Sequence, residues 1–420
     1  MTACWNAENF VGSAVYVGAV AVAATAGGDG GRGRYAYRLR VSSAACAGLL
    51  AEWDRCRWVW NQCVATSRAA HKAKLECGPA RLDKLLTGWR AEYGWLAGGA
   101  SVPEQQIIRD FARSRAKAIA DIKARLPVKR RAGMPRFKKK DLAGPSLNYT
   151  RRGFRLKDGR LHLAGGIVFT VVWSRELPAD PSSVRVYRDA LGHWYASFVV
   201  PAPVEPLPAT GRVIGIDWGV AQIATTTSDE HDLAHAGHGR KAADRLARYQ
   251  RMMARRKPQP GQSASKGYRE ARRQAAKAHR KVARQRQDAA RKWAKKVVRD
   301  HDVLAVEDFR PKFLAKTTMA RKAADAAIGA TKGELIAMAR KHGRGLRLVH
   351  PAHTTMDCAR CGARTKHALS LSERTYTCTT CGAVSPRDKN SAHVMLVRAG
   401  LAPAGADRLR PDRPPDSQAA

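Results

Sequence analysis

The 420-residue sequence predicts a multidomain α/β protein: a small β-barrel with a helical insertion, then a mixed-sheet domain interrupted by a zinc ribbon. Three observations carry that expectation. Two short β-branched runs, 212–220 and 302–309, each contain an acid, Asp217 and Glu307, and helical patterning separates them. Apolar and polar residues alternate in short runs through 145–205, the pattern of half-buried strands. Two Cys-x-x-Cys pairs, Cys358/Cys361 and Cys378/Cys381, stand sixteen residues apart. A chain of 420 residues is also too long for one ordinary core, so two to four domains are expected.

Lys and Arg number 76 against 35 Asp and Glu, a net charge of +41 that points to a polyanionic partner. No apolar segment reaches the length of a membrane span. The nearest, 10–26, lacks Lys or Arg ahead of it, so an extension, with a strand in it, fits better than a targeting segment. Outside the two pairs, Cys4, Cys46, Cys56, Cys63 and Cys77 are scattered and odd in number. That is no disulfide framework and suits a reducing cytoplasm.

In chain order, 27–34 reads as a Gly-rich linker and 35–41 as a strand. Leu49, Leu50, Trp53, Cys56, Trp60, Cys63 and Val64 recur at three-and-four spacing, giving a helix to about Lys74. Helices over 81–96 and 103–126 follow. Arg109, Arg113, Arg115, Lys117 and Lys123 make the last one basic, and the runs 129–131 and 135–140 extend that surface toward phosphate. Asp158-Gly159 between alternating runs is a two-residue hairpin signal, and 184–187 with 193–200 suggests a second pair. Pro201, Pro203, Pro206 and Pro208 mark a boundary.

Between Arg240 and His301 stand 22 Lys or Arg against 4 Asp or Glu, in two helical runs broken at 258–261. A thin apolar stripe (Met252, Met253, Ala275, Ala276, Val282, Trp293) lets such helices bury one edge and show cations elsewhere, unlike a disordered basic tail. In 302–309, Glu307 closes the apolar run while Asp308 falls where the chain leaves it, so Glu307 is the ligand candidate. A helix over 319–342 and a strand over 345–350 complete the pattern.

Cys358, Cys361, Cys378 and Cys381 have the spacing of a tetrahedral structural zinc site, with no open position for catalysis. Asp388 opens an amphipathic helix, where a first-turn acid or N-cap is the plain alternative to a ligand. Asp217 likewise either binds a cation or solvates at a strand end. Taken together, acids on two strands and at one helix start can meet at a sheet edge. Two Mg²⁺ ions about 3.5–4 Å apart would neutralise them and serve phosphodiester hydrolysis.

The ordered set Gly215-Ile-Asp217-Trp-Gly-Val, Val306-Glu307-Asp308, Cys358-x2-Cys361, Arg374-x-Tyr376-x-Cys378-x2-Cys381 and Arg387-Asp388-x-Asn390-x-Ala392 resembles the nuclease half of TnpB and the miniature type V CRISPR effectors. Trp60-Asn61 and Gly133-x-Pro135-x-Phe137-Lys138 carry a weaker likeness to that family's recognition helix and basic motif. Trp218 and Ser391 depart from its more usual aliphatic residue and Ala. The resemblance implies an RNase H-like (RuvC) domain with Asp217, Glu307 and Asp388 as magnesium ligands. It implies an RNA-guided DNA endonuclease with a guide RNA and a double-stranded target bearing a short adjacent motif.

On that basis 1–34 is an N-terminal extension, 35–43 a wedge strand, 44–127 a helical recognition domain and 128–208 the wedge barrel. Residues 209–350 form the nuclease domain with basic helices over 240–300, 351–384 the ribbon, 385–400 the final helix and 401–420 a loose tail. A monomer is the simpler expectation. An RNA-guided binder that represses without cutting and a protein-only recombinase are the competing functions.

Overall fold

The computed structural model describes residues 15–17, 20–23, 31–139, 144–259, 261–365, 370 and 372–401. Most of the expected N-terminal extension, Lys140 of the basic run and the tail beyond 401 lie outside the described residues. The chain divides into two compact units, Gly30–Ala202 and Met1–Asp29 with Pro203–Ala420.

The first unit is built on a seven-stranded antiparallel sheet. Its spatial order is Ser146–Thr150, Ser183–Arg188, Trp194–Pro201, Arg32–Arg40, Ile167–Val172, Arg160–Leu163 and Phe154–Lys157. The two edge strands are joined by the three-residue turn Arg151–Gly153, which brings the edges round into a near-barrel rather than a closed one. Asp158 and Gly159 both take positive φ (52° and 70°), as the expected two-residue hairpin requires. The strand Arg32–Arg40 begins inside the stretch expected to be a linker: Gly33 pairs with Val200, and Tyr37 alternates inward with Leu39.

The helical insertion comprises Ser43–Lys72, Pro79–Glu92, Gly94–Ala97 and Ser101–Lys123. Ser42 caps the first helix by accepting from the Ala45 N–H at 3.2 Å. Its buried face (Leu49, Trp53, Cys56, Val59, Trp60, Cys63) joins Ile108 and Phe111 in one core with the sheet. The basic motif is strapped onto this helix. The Trp60 indole donates to the Arg136 carbonyl at 2.8 Å, and Asn61 accepts from the Lys138 N–H at 2.8 Å. Lys138 Nζ lies 4.0 Å from the centre of the Trp60 ring.

The second unit carries another seven-stranded sheet, in the order Val15–Val17, Val20–Ala23, Gly345–Val349, Val303–Glu307, Val213–Trp218, Gln222–Thr226 and Leu233–Ala234. Val213–Trp218, Val303–Glu307 and Gly345–Val349 are parallel neighbours, and the rest pair antiparallel. Residues 20–23 thus supply a strand within the extension, as expected, and pair it with Gly345–Val349, a partner the sequence did not indicate.

Helices cover both faces. Lys266–Asp300 and Ile328–Lys341 bury Trp293, Val297, Val298 and Leu335 against Ile214, Ile216, Leu304 and Val306. On the other face Arg387–Arg398 buries Met395 and Leu396 against Ala305 and Val349. The basic region forms Ala243–Arg255 and Lys266–Asp300, with Ala271, Ala275, Ala278 and Val282 as the buried edge of the long helix. The helix expected over 319–342 is instead broken at Ala327, whose φ of 51° separates Ala320–Ala326 from Ile328–Lys341. No long helix among the described residues is apolar enough to cross a membrane.

Candidate functional site

Strand periodicity decides which side chains meet. Ile214 and Ile216 point to the core under Lys266–Asp300, so Gly215 and Asp217 point to the opposite face, against the final helix. Gly215 is required there: a Cβ would stand 2.0 Å from the Ala392 carbonyl oxygen. On the parallel neighbour, Ala305 faces the same helix and Val306 the opposite core, so Glu307 shares the face of Asp217. The register Gly215↔Ala305 and Ile216↔Val306 brings Asp217 and Glu307 side by side at the strand ends.

Both carboxyls are nearly inaccessible, at 9 % and 6 % exposure. Burial, then the charges of Glu307 and Asp388, pushes the Asp217 carboxyl well above the usual carboxylate range, and it shares a hydrogen bond with Glu307. Glu307 is pushed up to about 7 by burial, partly offset by the Trp218 N–H, Lys332 and Asp217. Trp218 braces it twice, with its backbone N–H on Glu307 Oε2 at 3.2 Å and its indole on the Glu307 carbonyl at 3.1 Å. The Trp218 ring turns to the other core, 5.9 Å from Trp293 and edge-on to it. Asp308 has left this face and pairs with Lys332 at 2.5 Å.

Asp388 lies in the first turn of Arg387–Arg398, a helix whose N-cap, Pro386, offers no side-chain cap. Its half-exposed carboxylate meets Arg387 at 3.3 Å and Arg374 at 3.7 Å. It is close enough to raise Asp217 electrostatically. The three carboxylates nonetheless do not gather with oxygens all within 4.8 Å; among the described residues two other groups do. The donor set of Asp217, Glu307 and Asp388 is all hard oxygen, which suits a divalent cation that keeps part of its water.

One of those groups is Cys358, Cys361, Cys378 and Cys381. Its Sγ···Sγ separations of 3.7 Å (Cys358 to Cys381) and 3.6 Å (Cys361 to Cys378) match the tetrahedron edge of about 3.8 Å that Zn–S bonds of about 2.3 Å imply. Against the effect of burial, the backbone N–H groups of Cys381 and Thr380 bring the Cys378 thiol down to about 6. The ribbon docks on the final helix through Asn390, which accepts from the Ala359 N–H at 3.0 Å and donates to the Asp357 carbonyl at 2.7 Å.

The other group is Glu230, His231 and Asp300. His231 Nε2 lies 3.0 Å from Asp300, and its carbonyl accepts from the Trp293 indole at 2.7 Å, so this trio latches a turn to the end of the long helix. Sequence spacing missed the supporting residues Trp218, Lys332, Asp232 and Lys389. Only the unusual Trp after Asp217 offered a signal.

Residues 196–317 match a family of probable transposases, and 331–395 match the Cas12f1-like TNB domain. A solved Cas12f1–sgRNA–target DNA complex shares the fold with a TM-score of 0.52 at 13 % identity, over 84 % of this chain and 82 % of that one. A putative RNA-guided DNA endonuclease of Streptomyces pristinaespiralis is 30 % identical over 387 residues, 90 % of this chain and 92 % of the relative. By that likeness along almost its whole length, the chain belongs to the family of TnpB and the miniature type V CRISPR effectors.

Proposed function

We propose that this protein is an RNA-guided DNA endonuclease that hydrolyses target phosphodiesters at Asp217, Glu307 and Asp388. The observation that carries the proposal is the buried Asp217–Glu307 pair, set side by side by the strand register and near enough to Asp388 to feel its charge. Like charges so placed destabilise the fold unless cations neutralise them, which gives the pair a functional rather than a structural reason to exist. The strand order supports an RNase H-like, RuvC-type domain. Numbered along the chain from Val213, five strands lie in the order third, second, first, fourth, fifth. Read across the sheet from its Leu233–Ala234 edge, these are Leu233–Ala234, Gln222–Thr226, Val213–Trp218, Val303–Glu307 and Gly345–Val349. The near-barrel of residues 30–202 with its helical insertion is the proposed wedge and recognition part. The TNB match and the four thiols support a structural zinc.

Mg²⁺ is the proposed ion, and a bound pair would supply an activated water and charge stabilisation of the leaving oxygen. The chain's own residues do the rest. Trp218 holds the Glu307 carboxylate in one orientation, while Lys332 keeps Asp308 away from the pair. Arg374 and Arg387 neutralise Asp388 until a ligand takes their place. Guide RNA and double-stranded target DNA are the proposed partners, consistent with the charge of +41 and with the names of the relatives.

The test is cleavage of a plasmid by purified protein loaded with RNA from its own locus, the flank of the target randomised. Guide-dependent, Mg²⁺-dependent cutting beside one preferred flank is expected, with Asp217→Ala inactive yet still binding target. Absence of bound RNA together with no cutting would reject the guided reading, and unaltered cutting by Asp217→Ala would reject the site.

A further inference from the structure

Asp388 is the one member of the trio not built into a strand, so its place depends on what anchors the start of its helix. Pro386 provides no cap; the Arg387 N–H donates to the Arg374 carbonyl at 2.8 Å, which ties the helix start to the ribbon side, and both guanidinium groups meet the Asp388 carboxylate. Asn390 and Ser391 tie the helix to the ribbon side, to Asp357, Ala359 and Thr354. Beyond the apolar packing further along the helix, the side-chain hydrogen bonds from its first turn to the sheet come from Lys389, the residue after Asp388.

Its ammonium reaches three acceptors: the Thr226 carbonyl at 2.9 Å, Asp232 at 2.9 Å and Asp229 at 2.5 Å. Three N–H donors on one nitrogen match three acceptors, a geometry that the planar fork of Arg does not reproduce. Thr226 is fully buried in the strand that pairs with the Asp217 strand, where Asp217 stands opposite Thr225. Asp232 is itself fixed, since its carboxylate also accepts from the Thr226 N–H at 2.7 Å. The Asp229 contact is solvent-exposed and contributes least. The Lys389 side chain, only 20 % exposed, therefore spans from the backbone carrying Asp388 to the strand registered on Asp217.

We propose that Lys389 is a positioning residue: through Thr226 and Asp232 it sets the Asp388 carboxylate against Asp217 and Glu307 so that the three can share divalent ions. The proposal rests on the metal-dependent reading of that trio. Residues that orient metal ligands without touching the metal typically govern affinity by 10- to 100-fold, which sets the expected scale at about that size.

The test compares full-length wild type, Lys389→Met, Lys389→Arg and Asp232→Asn. Mn²⁺ binding is titrated by electron paramagnetic resonance, and Mg²⁺ half-saturation, kcat and KM of guided cleavage are measured alongside. Lys389→Met keeps the stem and removes the donors, so Mn²⁺ affinity and Mg²⁺ half-saturation should both worsen by about 10-fold or more. The kcat should fall while the KM for target DNA stays put, and Lys389→Arg should recover only part of the loss. Asp232→Asn weakens the same anchor from the other end, should act in the same direction, and serves if Lys389→Met does not fold. Wild-type Mn²⁺ affinity and Mg²⁺ dependence in folded Lys389→Met and Asp232→Asn would overturn the proposal alone. Wild-type Mn²⁺ binding that is indifferent to Asp217→Ala would overturn the metal-site reading, and this proposal with it.

Discussion

At the scale of single residues, the Asp217–Glu307 pair makes the protein less stable than it would be without it. Two buried carboxyls in contact repel when ionised, and among the described residues neither has a basic side chain hydrogen-bonded to it. Asp217→Asn in metal-free protein should therefore stabilise the second unit by roughly 1–2 kcal/mol. Thermal unfolding should show a gain of a few degrees in chelator. The gain should shrink or reverse as Mg²⁺ is added, because the wild type then recovers its partner. The same physics fixes a pH dependence. With Glu307 raised to about 7, the metal-free carboxyl holds its proton below that pH, and an incoming divalent ion must expel it. Affinity for Mn²⁺ should rise from pH 6 to pH 8 with proton release, and level off above; calorimetry in buffers of different ionisation enthalpy measures both.

Asp217 and Glu307 were legible in the sequence because a carboxylate closing an apolar strand is costly to bury unless a cation pairs with it. Trp218 was not legible as a brace, since its two hydrogen bonds to Glu307 depend on the register of two strands remote in the chain. Lys389 was invisible for the same reason: its acceptors lie some 160 residues away in sequence.

At the scale of elements, the final helix is held from two sides, by the sheet and by the ribbon. Gly215→Ala would drive a methyl group into the Ala392 carbonyl, displacing the helix that bears Asp388. A loss of about 1–3 kcal/mol in thermal or denaturant unfolding is expected, with cleavage falling further than the folded fraction. Zinc loss should reach the same helix. Cys358→Ser or Cys378→Ser should lower bound zinc and open 351–384 to protease. Because Asn390 bonds the Asp357 carbonyl and Arg398 the Ala352 carbonyl and the Asp357 carboxylate, the variants should also impair cleavage.

Element identity was largely legible where periodicity ran long, as in Ser43–Lys72 and Lys266–Asp300, or where turn chemistry was specific, as at Asp158-Gly159. It failed at Ala327, because the left-handed residue is Ala, a good helix former, while the nearby Gly329 falls inside the next helix. It failed again at Arg32, because Gly33 joins a strand that only its neighbour Val200 defines.

At the scale of the whole molecule, the charge is laid out along helices. Lys266–Asp300 buries alanines and Val282 along one edge and leaves Arg272, Lys277 and Lys295 exposed. Binding of nucleic acid without a guide should weaken steeply with salt, by on the order of 10³-fold or more between 50 and 200 mM if at least six phosphates are contacted. Fluorescence anisotropy across that range measures the slope, and a flat response would contradict the proposed role of the basic helices.

The most direct test of the site is anomalous scattering from Mn²⁺ in crystals of the protein soaked with the ion. The expected result is a peak within about 2.5 Å of carboxylate oxygens of Asp217 and of Glu307 or Asp388. Manganese bound elsewhere, with none at these three residues at saturating ion and above pH 7.5, would contradict it.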